Sequence, residues 1–250
     1  MSGHSKWATI KHKKAATDAK RGKVFSKLAK ELTVAAKMGG GDQSSNAKLR
    51  MLVQKAKEAN MPSDNVTRAI KKGTGELPGV SYEEQTYEGY GAGGVAIIVD
   101  VLTDNKNRTA AEIRMVFSKR NANMAGANAV AWMFNKKGYI EVAKNAAEED
   151  KVFSVATEAG AEDFVAEESA YEITVPLDSF EKVKKALADA GIPTTVAEVT
   201  MLPQNTVKVS GKDAEHVLAL VEDLEDHDDV QNVYANFDIS DEEIQRISGS

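Results

Sequence analysis

The residues best suited to chemistry stand early in the chain, and the chemistry they suit is the binding of phosphates and bases. From Lys6 to Lys30 nine residues are Lys or Arg and one is acidic, and Trp7 lies among the cations. Lysine and arginine displace counterions from phosphates, and an exposed indole can stack on an unpaired base. A basic helix face that is merely solvated is the alternative. The predicted nucleic-acid-binding residues are Lys6, Trp7, Lys11, His12, Lys13, Lys14, Lys20, Arg21, Lys23 and Lys27.

The distribution of charge along the chain favours nucleic acid over simple solvation. Residues 1–72 hold 17 Lys or Arg against 5 Asp or Glu, a formal charge of +12, whereas the remaining residues hold 15 against 33, a charge of −18. The net charge of −6 therefore conceals a basic first part and an acidic remainder. Because an acidic surface repels phosphate, we expect contact with nucleic acid to be confined mainly to the first part.

A second candidate contact is the turn at 103–109, which follows an apolar strand and begins a helix. Thr109 and Glu112 have the spacing of a capping box, which explains two of its residues. Lys106 and Arg108 are not explained in this way, and they are predicted to contact an anion or RNA beside the helical N–H groups. An ordinary polar loop is the alternative.

The sequence predicts no catalytic residue, metal site or cofactor. The chain has no cysteine, no two of its four histidines have metal-ligand spacing, and no nucleophile elbow or Walker motif occurs. Gly89, Gly91 and Gly94 match a dinucleotide fingerprint, but a strand follows where that fingerprint needs a helix, so a hairpin turn is predicted. With no apolar leader and no membrane-length apolar run, we expect a cytoplasmic protein without membrane partner or small-molecule substrate.

Apolar periodicity divides the chain into a helical part and two mixed parts. Helical spacing predicts a helix from about residue 17 to 37, whose lysines occupy faces free to bind, a second helix capped by Ser44 or Ser45, and a third capped by Ser63. The predicted class is α+β multidomain, with an N-terminal three-helix bundle followed by two ferredoxin-like α/β domains, the last inserted into the middle one. Strands of the middle domain are predicted at 95–102, 128–134, 206–209 and 230–237. The predicted domains are 1–80 (basic helical), 81–135 plus 205–240 (discontinuous, ferredoxin-like) and 136–204 (inserted, ferredoxin-like).

Several short motifs occur in a fixed order along the chain. They are Gly-His-Ser-Lys-Trp-Ala at 3–8, Lys-Lys-Ala-Ala at 13–16, Asp-Ala-Lys-Arg-Gly-Lys at 18–23, Gly-Gly-Gly-Asp at 39–42, Tyr-Glu-Gly-Tyr-Gly at 87–91 and Thr-Asp-Asn-Lys-Asn-Arg-Thr at 103–109. From residue 3 to about 240 the sequence resembles the YebC family, which includes the mitochondrial translational activator of cytochrome oxidase subunit I. The resemblance implies a helical bundle and two α/β domains, and it directs attention to the segments 6–27 and 104–109. The sequence departs from the family at Ala92, commonly a proline, and at 120–125, where the family's turn is richer in glycine.

The resemblance implies two kinds of nucleic-acid partner. Bacterial members have long been labelled probable transcriptional regulators, which implies DNA, whereas other members are understood as ribosome-associated factors that help translation through runs of proline. We expect a non-catalytic nucleic-acid-binding regulator of gene expression, with ribosomal RNA favoured because Trp7 suits unpaired bases. A regulator that binds double-stranded DNA is the alternative. An enzyme or protein adaptor built on the acidic domains is the alternative from another class.

Overall fold

The computed structural model describes residues 18–248, except for the side chains of 18–20, 241, 244, 245 and 248, and its first part is a bundle of helices. The helices are α1 (Asp18–Gly39), α2 (Ala47–Glu58) and α3 (Ser63–Thr74). Apolar residues three or four positions apart give each helix a buried face, and the three faces form one core. That core includes Leu28, Leu32, Leu49, Leu52, Val53, Val66 and Ala69. The predicted N-terminal helical region is therefore confirmed.

A buried asparagine connects the first two helices. Asn46 caps α2 by accepting the N–H of Leu49 at 3.0 Å, and its amide nitrogen donates to the carbonyls of Ala35 and Gly40 at 2.9 and 2.8 Å. One side chain thus satisfies backbone groups that the end of α1 and the start of α2 leave open. The prediction that Ser44 or Ser45 caps this helix is wrong, because both serine hydroxyls donate to Asp42.

A β-hairpin and a helix follow the bundle. Strand β1 (Glu83–Tyr90) pairs antiparallel with β2 (Ala96–Thr103), and α4 (Lys106–Lys119) leads to the short strand β3 (Asn123–Ala125) on the other side of β1. The glycines of the turn between β1 and β2 include two with positive φ. The predicted hairpin turn is confirmed, and the glycine motif is explained by this turn rather than by a bound dinucleotide.

Residues 132–205 form a separate compact unit. In its antiparallel sheet, the first strand of the chain lies between the third and the fourth, and the second strand lies at the edge beside the third. This is the connectivity of a split β-α-β arrangement. Its elements are β4 (Phe134–Ala143), α5 (Glu149–Ala159), β5 (Asp163–Ala166), β6 (Ala170–Val175), α6 (Phe180–Asp189) and β7 (Val196–Pro203).

After this unit the chain returns to the first sheet. The last elements are β8 (Val207–Lys208), α7 (Gly211–Glu225), β9 (Val230–Ala235), β10 (Phe237–Asp238) and α8 (Asp241–Ser248). Strand β9 joins β2 and gives the order β3-β1-β2-β9, whereas β8 and β10 form a small parallel pair. Helices α4 and α7 bury apolar side chains in one core with this sheet, and the predicted α+β class is confirmed. In the part of the chain that the structure describes, no helix is both long enough and apolar enough to cross a bilayer.

Two segments predicted as strands of this sheet have other conformations. Residues 128–133 form turns and a short 3-10 helix, because the carboxylate of Glu88 accepts the N–H groups of Asn128, Val130 and Ala131 at 2.7 to 2.9 Å. Those N–H groups are then not available to a strand ladder. Residues 206–209 contribute only to the small β8–β10 pair, and the mostly polar strand β1 lies between β3 and β2 in the four-stranded sheet.

We predict that Gly89→Ala destabilises this sheet. A Cβ atom at Gly89 would lie 2.4 Å from Cε1 of Phe117, which is fully buried, and 2.6 Å from the carbonyl oxygen of Asn123. Overpacking of this kind costs about 1–3 kcal/mol, so the urea midpoint measured by circular dichroism should fall. Gly126→Ala is the control, because an added Cβ there meets no atom within 4 Å. Equal midpoints for the two variants would contradict the close approach of α4 to β1.

Candidate nucleic-acid interface

The structure describes part of the predicted binding set. Arg21, Lys23 and Lys27 lie on α1, and Lys106 and Arg108 lie in the first turn of α4. The side chain of Lys20 is outside the described residues, as are the whole residues Lys6, Trp7, Lys11, His12, Lys13 and Lys14.

Lys23 and Lys27 contact the C-terminal end of α7. Lys23 Nζ donates to the carbonyl of Asp226 at 3.0 Å and lies 3.3 Å from the carboxylate of the same residue. Lys27 Nζ donates to the carbonyl of Glu225 at 2.6 Å. The last carbonyls of a helix lack intrahelical partners and carry the negative end of its dipole, so ammonium groups are stabilised there. Contrary to the expectation that these lysines are free, this face of α1 is engaged by the protein itself.

A buried carboxylate, that of Asp229, joins α1 to α4. Its oxygens accept hydrogen bonds from Lys30 Nζ at 2.6 Å, Arg108 Nη2 at 2.7 Å and Thr109 Oγ1 at 2.7 Å, and its side chain is 6% exposed. Burial raises the pKa of this carboxyl group, but the hydrogen bonds from Lys30, Thr109 and Arg108 outweigh burial and lower the pKa well below its ordinary 3.8. Asp229 therefore stays ionised and couples the helical bundle to the sheet.

The turn before α4 is held by its own side chains. Asn105 caps the helix by accepting the N–H of Arg108 at 3.1 Å, and Thr103 Oγ1 accepts the N–H of Asn105 at 2.9 Å. The hydroxyl oxygens of Thr103 and Thr109 are 2.7 Å apart, and both residues are fully buried. The predicted capping box of Thr109 and Glu112 is wrong, because Thr109 lies within the first turn of α4 and its hydroxyl is turned inward.

Both cations of this turn are paired with carboxylates. Lys106 contacts Glu83 of β1, and Arg108 bonds to Asp104 at 3.0 Å in addition to Asp229. The hydrogen bond and the charge of Asp229 raise the pKa of Arg108. The two side chains remain 51% and 44% exposed. A phosphate at this turn would compete with carboxylates that are already in place, so the turn offers less free positive charge than its sequence indicates.

Three side chains at this junction carry atoms that could hold a metal ion, namely Glu112, His227 and Asp229, whose ligand atoms lie within 4.8 Å of one another. His227 Nδ1 accepts the N–H of Asp229 at 3.1 Å, which assigns the proton of a neutral ring to Nε2, 2.9 Å from the Glu112 carboxylate. The carboxylate of Asp229 is already occupied by its two cations and the threonine hydroxyl. A metal ion would therefore bind here only by displacing these hydrogen bonds.

Lys30 and Asp229 form a buried ion pair at this junction that sequence reasoning missed. The sequence places Lys30 on a face of the first helix that is free to bind, and it explains the acidic stretch at 222–229 by solvation and helix dipoles. The two residues are 199 positions apart, so no spacing rule links them. The sequence does show that residues 1–72 are basic and that the remainder is acidic. This charge difference predicts attraction between the two parts, but it does not identify the atoms that meet.

The fold and the charges define an α+β protein in which a basic helical bundle is attached by ion pairs to an acidic α/β part. Two family models match the chain. The model described as "TACO1/YebC protein N-terminal domain" matches residues 5–76, and the one described as "TACO1/YebC second and third domain" matches residues 82–237. The chain therefore belongs to the TACO1/YebC family.

Individual relatives match over nearly the whole chain. A protein of Natranaerobius thermophilus is 59% identical over 244 residues, which covers 96% of this chain and 98% of the relative. A protein of Geobacter sulfurreducens is 59% identical over 247 residues, which covers 99% and 100%. Both relatives are named probable transcriptional regulatory proteins. The crystal structure of a conserved hypothetical protein from Aquifex aeolicus is similar with a TM-score of 0.79 at 44% identity, covering 90% of this chain and 93% of that one.

We predict that Asp229→Asn weakens the attachment of α1 to α4. The substitution removes the counter-charge that Lys30 and Arg108 share, and breaking a buried ion pair from one side costs about 3–5 kcal/mol. Because Arg108 is partly exposed, we expect the lower end of that range, seen as faster hydrogen exchange of the α1 and α4 amides. Asp228→Asn is the control, since this neighbouring carboxylate is exposed. Equal acceleration in both variants would contradict the role given to the buried carboxylate.

The same carboxylate predicts sensitivity to acid. A carboxyl group whose pKa is lowered by folding contributes stability above its ordinary pKa of 3.8 and loses that contribution as the pH falls through the lower folded value. The stability difference between the wild type and Asp229→Asn should be constant near neutral pH and shrink progressively below about pH 5. Urea unfolding at a series of pH values measures this difference. A difference that persists unchanged in acid would show that the charge of Asp229 is not its source.

Proposed function

We propose that this chain is a non-catalytic regulator of gene expression that binds nucleic acid through its basic helical region. The observation that carries the proposal is the segregation of charge, +12 on residues 1–72 and −18 on the rest. The lysine face of α1 is engaged with the protein, but several cations of α2 and α3 have exposed side chains. These are Arg50, Lys55, Lys57, Arg68, Lys71 and Lys72.

RNA is the favoured partner, and ribosomal RNA the favoured RNA. Trp7 in the basic N-terminal segment suits an unpaired base, whereas the bases of a duplex have no free face on which an indole can stack. The resemblance to ribosome-associated factors that help translation through runs of proline supports this role. The names of the relatives, probable transcriptional regulatory proteins, favour a second candidate, a regulator that binds double-stranded DNA.

Fractionation of a cell lysate on a sucrose gradient, with and without RNase, separates these two candidates. Co-migration with ribosomal particles that RNase abolishes supports a function on ribosomal RNA. Migration away from ribosomes, together with retention on genomic DNA fragments, supports a function in transcription.

We predict a steep dependence of RNA affinity on salt, measured by fluorescence anisotropy with a single-stranded RNA. If the basic region neutralises about six to ten phosphates of a single strand, affinity should fall about 300- to 16,000-fold between roughly 50 and 200 mM salt. Replacing Lys11, Lys13 and Lys14 with Gln should lower the slope of log affinity against log salt by about 2, because each single-strand phosphate contact contributes about 0.7.

A matched control removes the same charge from the inserted unit. Lys182, Lys184 and Lys185 are exposed on α6, and replacing them with Gln should leave the slope unchanged. Equal losses in the two triple variants, or an affinity that is insensitive to salt, would contradict binding through the basic region. An affinity insensitive to salt would favour an enzyme or a protein adaptor built on the acidic units.

A further inference from the structure

A cleft between α1 and α3 is lined by residues outside the predicted binding set. Its volume is about 380 Å³, near the lower end of the range for small-ligand sites, about 300–1,000 Å³. Its walls include Phe25 and Lys30 of α1, Arg68 and Lys72 of α3, and Tyr82 from the segment after the bundle. A cleft of this volume suits one nucleotide rather than a base pair within a duplex.

Close packing of α1 against α3 holds the walls of the cleft in place. Thr33 Oγ1 donates to the carbonyls of Ala29 and Ala69 at 2.8 and 3.1 Å, which joins α1 to α3. A Cβ atom at Gly73 would lie 2.3 Å from the carbonyl oxygen of Thr33, so the two backbones approach without room for a side chain. Two packed helices, rather than a loop, therefore hold most of the groups that face the cleft.

The cleft presents positive charge that the protein does not neutralise. Arg68 and Lys72 lie four positions apart on α3, are exposed, and make no ion pair or side-chain hydrogen bond with any residue in 18–248. Lys30 is a third cation, although its ammonium group is bound to Asp229. Among the described residues that line the cleft, none is acidic. Charge complementarity therefore favours an anion, and the planar fork of an arginine matches phosphate oxygens in particular.

The cleft also presents aromatic and apolar surface that an inorganic anion would leave unused. Phe25 and Tyr82 supply rings, and Met61, a residue that is 7% exposed, supplies apolar surface. Lys30 Nζ lies 5.7 Å from the centroid of the Tyr82 ring. Asn65 adds an amide that both donates and accepts hydrogen bonds, which suits the edge of a base. A flat heteroaromatic ring joined to a phosphate matches all of these groups at once.

We propose that this cleft binds one unpaired nucleotide of a single-stranded RNA. The base lies against Phe25, Met61 and Tyr82. The adjoining phosphate accepts hydrogen bonds from Arg68 and Lys72. This proposal rests on the proposed nucleic-acid-binding function and adds to it a site at which a base is recognised as well as the backbone. Bases stacked within a duplex present only their edges, so the cleft selects single strands.

The test compares two double variants that lose the same charge, in a titration of fluorescent single-stranded RNA. Arg68→Gln with Lys72→Gln removes the unneutralised cations of the cleft, and Lys55→Gln with Lys57→Gln removes two exposed cations of α2 outside it. We expect the cleft variant to lose about tenfold more affinity than the control, because its cations act together on one phosphate. Both variants should keep the melting temperature of the wild type, since all four side chains are exposed.

Three further measurements report on the base. Ultraviolet irradiation of the complex should attach a nucleotide to the peptide that contains Phe25 or to the one that contains Tyr82. Tyr82→Leu, which removes the ring but keeps apolar bulk, should lower the affinity by about tenfold. A duplex of the same sequence should compete for the protein markedly less well than the single strand.

The outcomes distinguish this inference from the function on which it rests. If the wild type binds RNA with the expected salt dependence, but the two double variants behave alike and crosslinks form elsewhere, the cleft is not the site and the proposed function stands. If the duplex competes as well as the single strand, the cleft contacts phosphates alone and the single-nucleotide proposal is overturned. If the wild type binds no nucleic acid, the proposed function and this inference both fail.

Discussion

A buried ionic contact joins the bundle to the sheet, and it is the carboxylate of Asp229 between Lys30 and Arg108. The two cations come from α1 and from the first turn of α4, and the carboxylate itself lies just before β9. A carboxylate that is 6% exposed is costly to leave unpaired, so each partner stabilises the position of the others. The contact therefore couples the helical bundle to the sheet at the place where the basic and acidic parts of the chain meet.

Several cations of the basic part pair with carbonyl and carboxylate groups of the acidic part of the same molecule. Lys23, Lys27 and Lys30 bind carbonyl and carboxylate oxygens at the end of α7 and beyond it, so this face of α1 is used in folding. The exposed cations of α3 differ in this respect, since Arg68 and Lys72 have no partner in 18–248. In the proposed function, an external phosphate meets cations of this second kind.

The sequence predicted the helices and turns whose conformation is set by residues close together in the chain. The three bundle helices were predictable because their apolar residues recur at helical spacing. The hairpin turn was predictable because its glycines directly precede an apolar strand. Strand β1 was not, since most of its residues are polar and its ladder with β2 holds it in place. The strand predicted at 128–134 was wrong because Glu88, 40 positions before Asn128, takes the N–H groups that such a strand would use.

The amino-acid sequence alone determined the α+β class, the helical first part and the separation of positive from negative charge. Each of these follows from composition or from the spacing of neighbours along the chain. Only the tertiary structure decided which cations remain available, because Lys72 does not differ in type from Lys23 and Lys27. The energy of an ion pair depends on the distance between its charges and on their burial, and folding brings together groups as distant in sequence as Lys30 and Asp229.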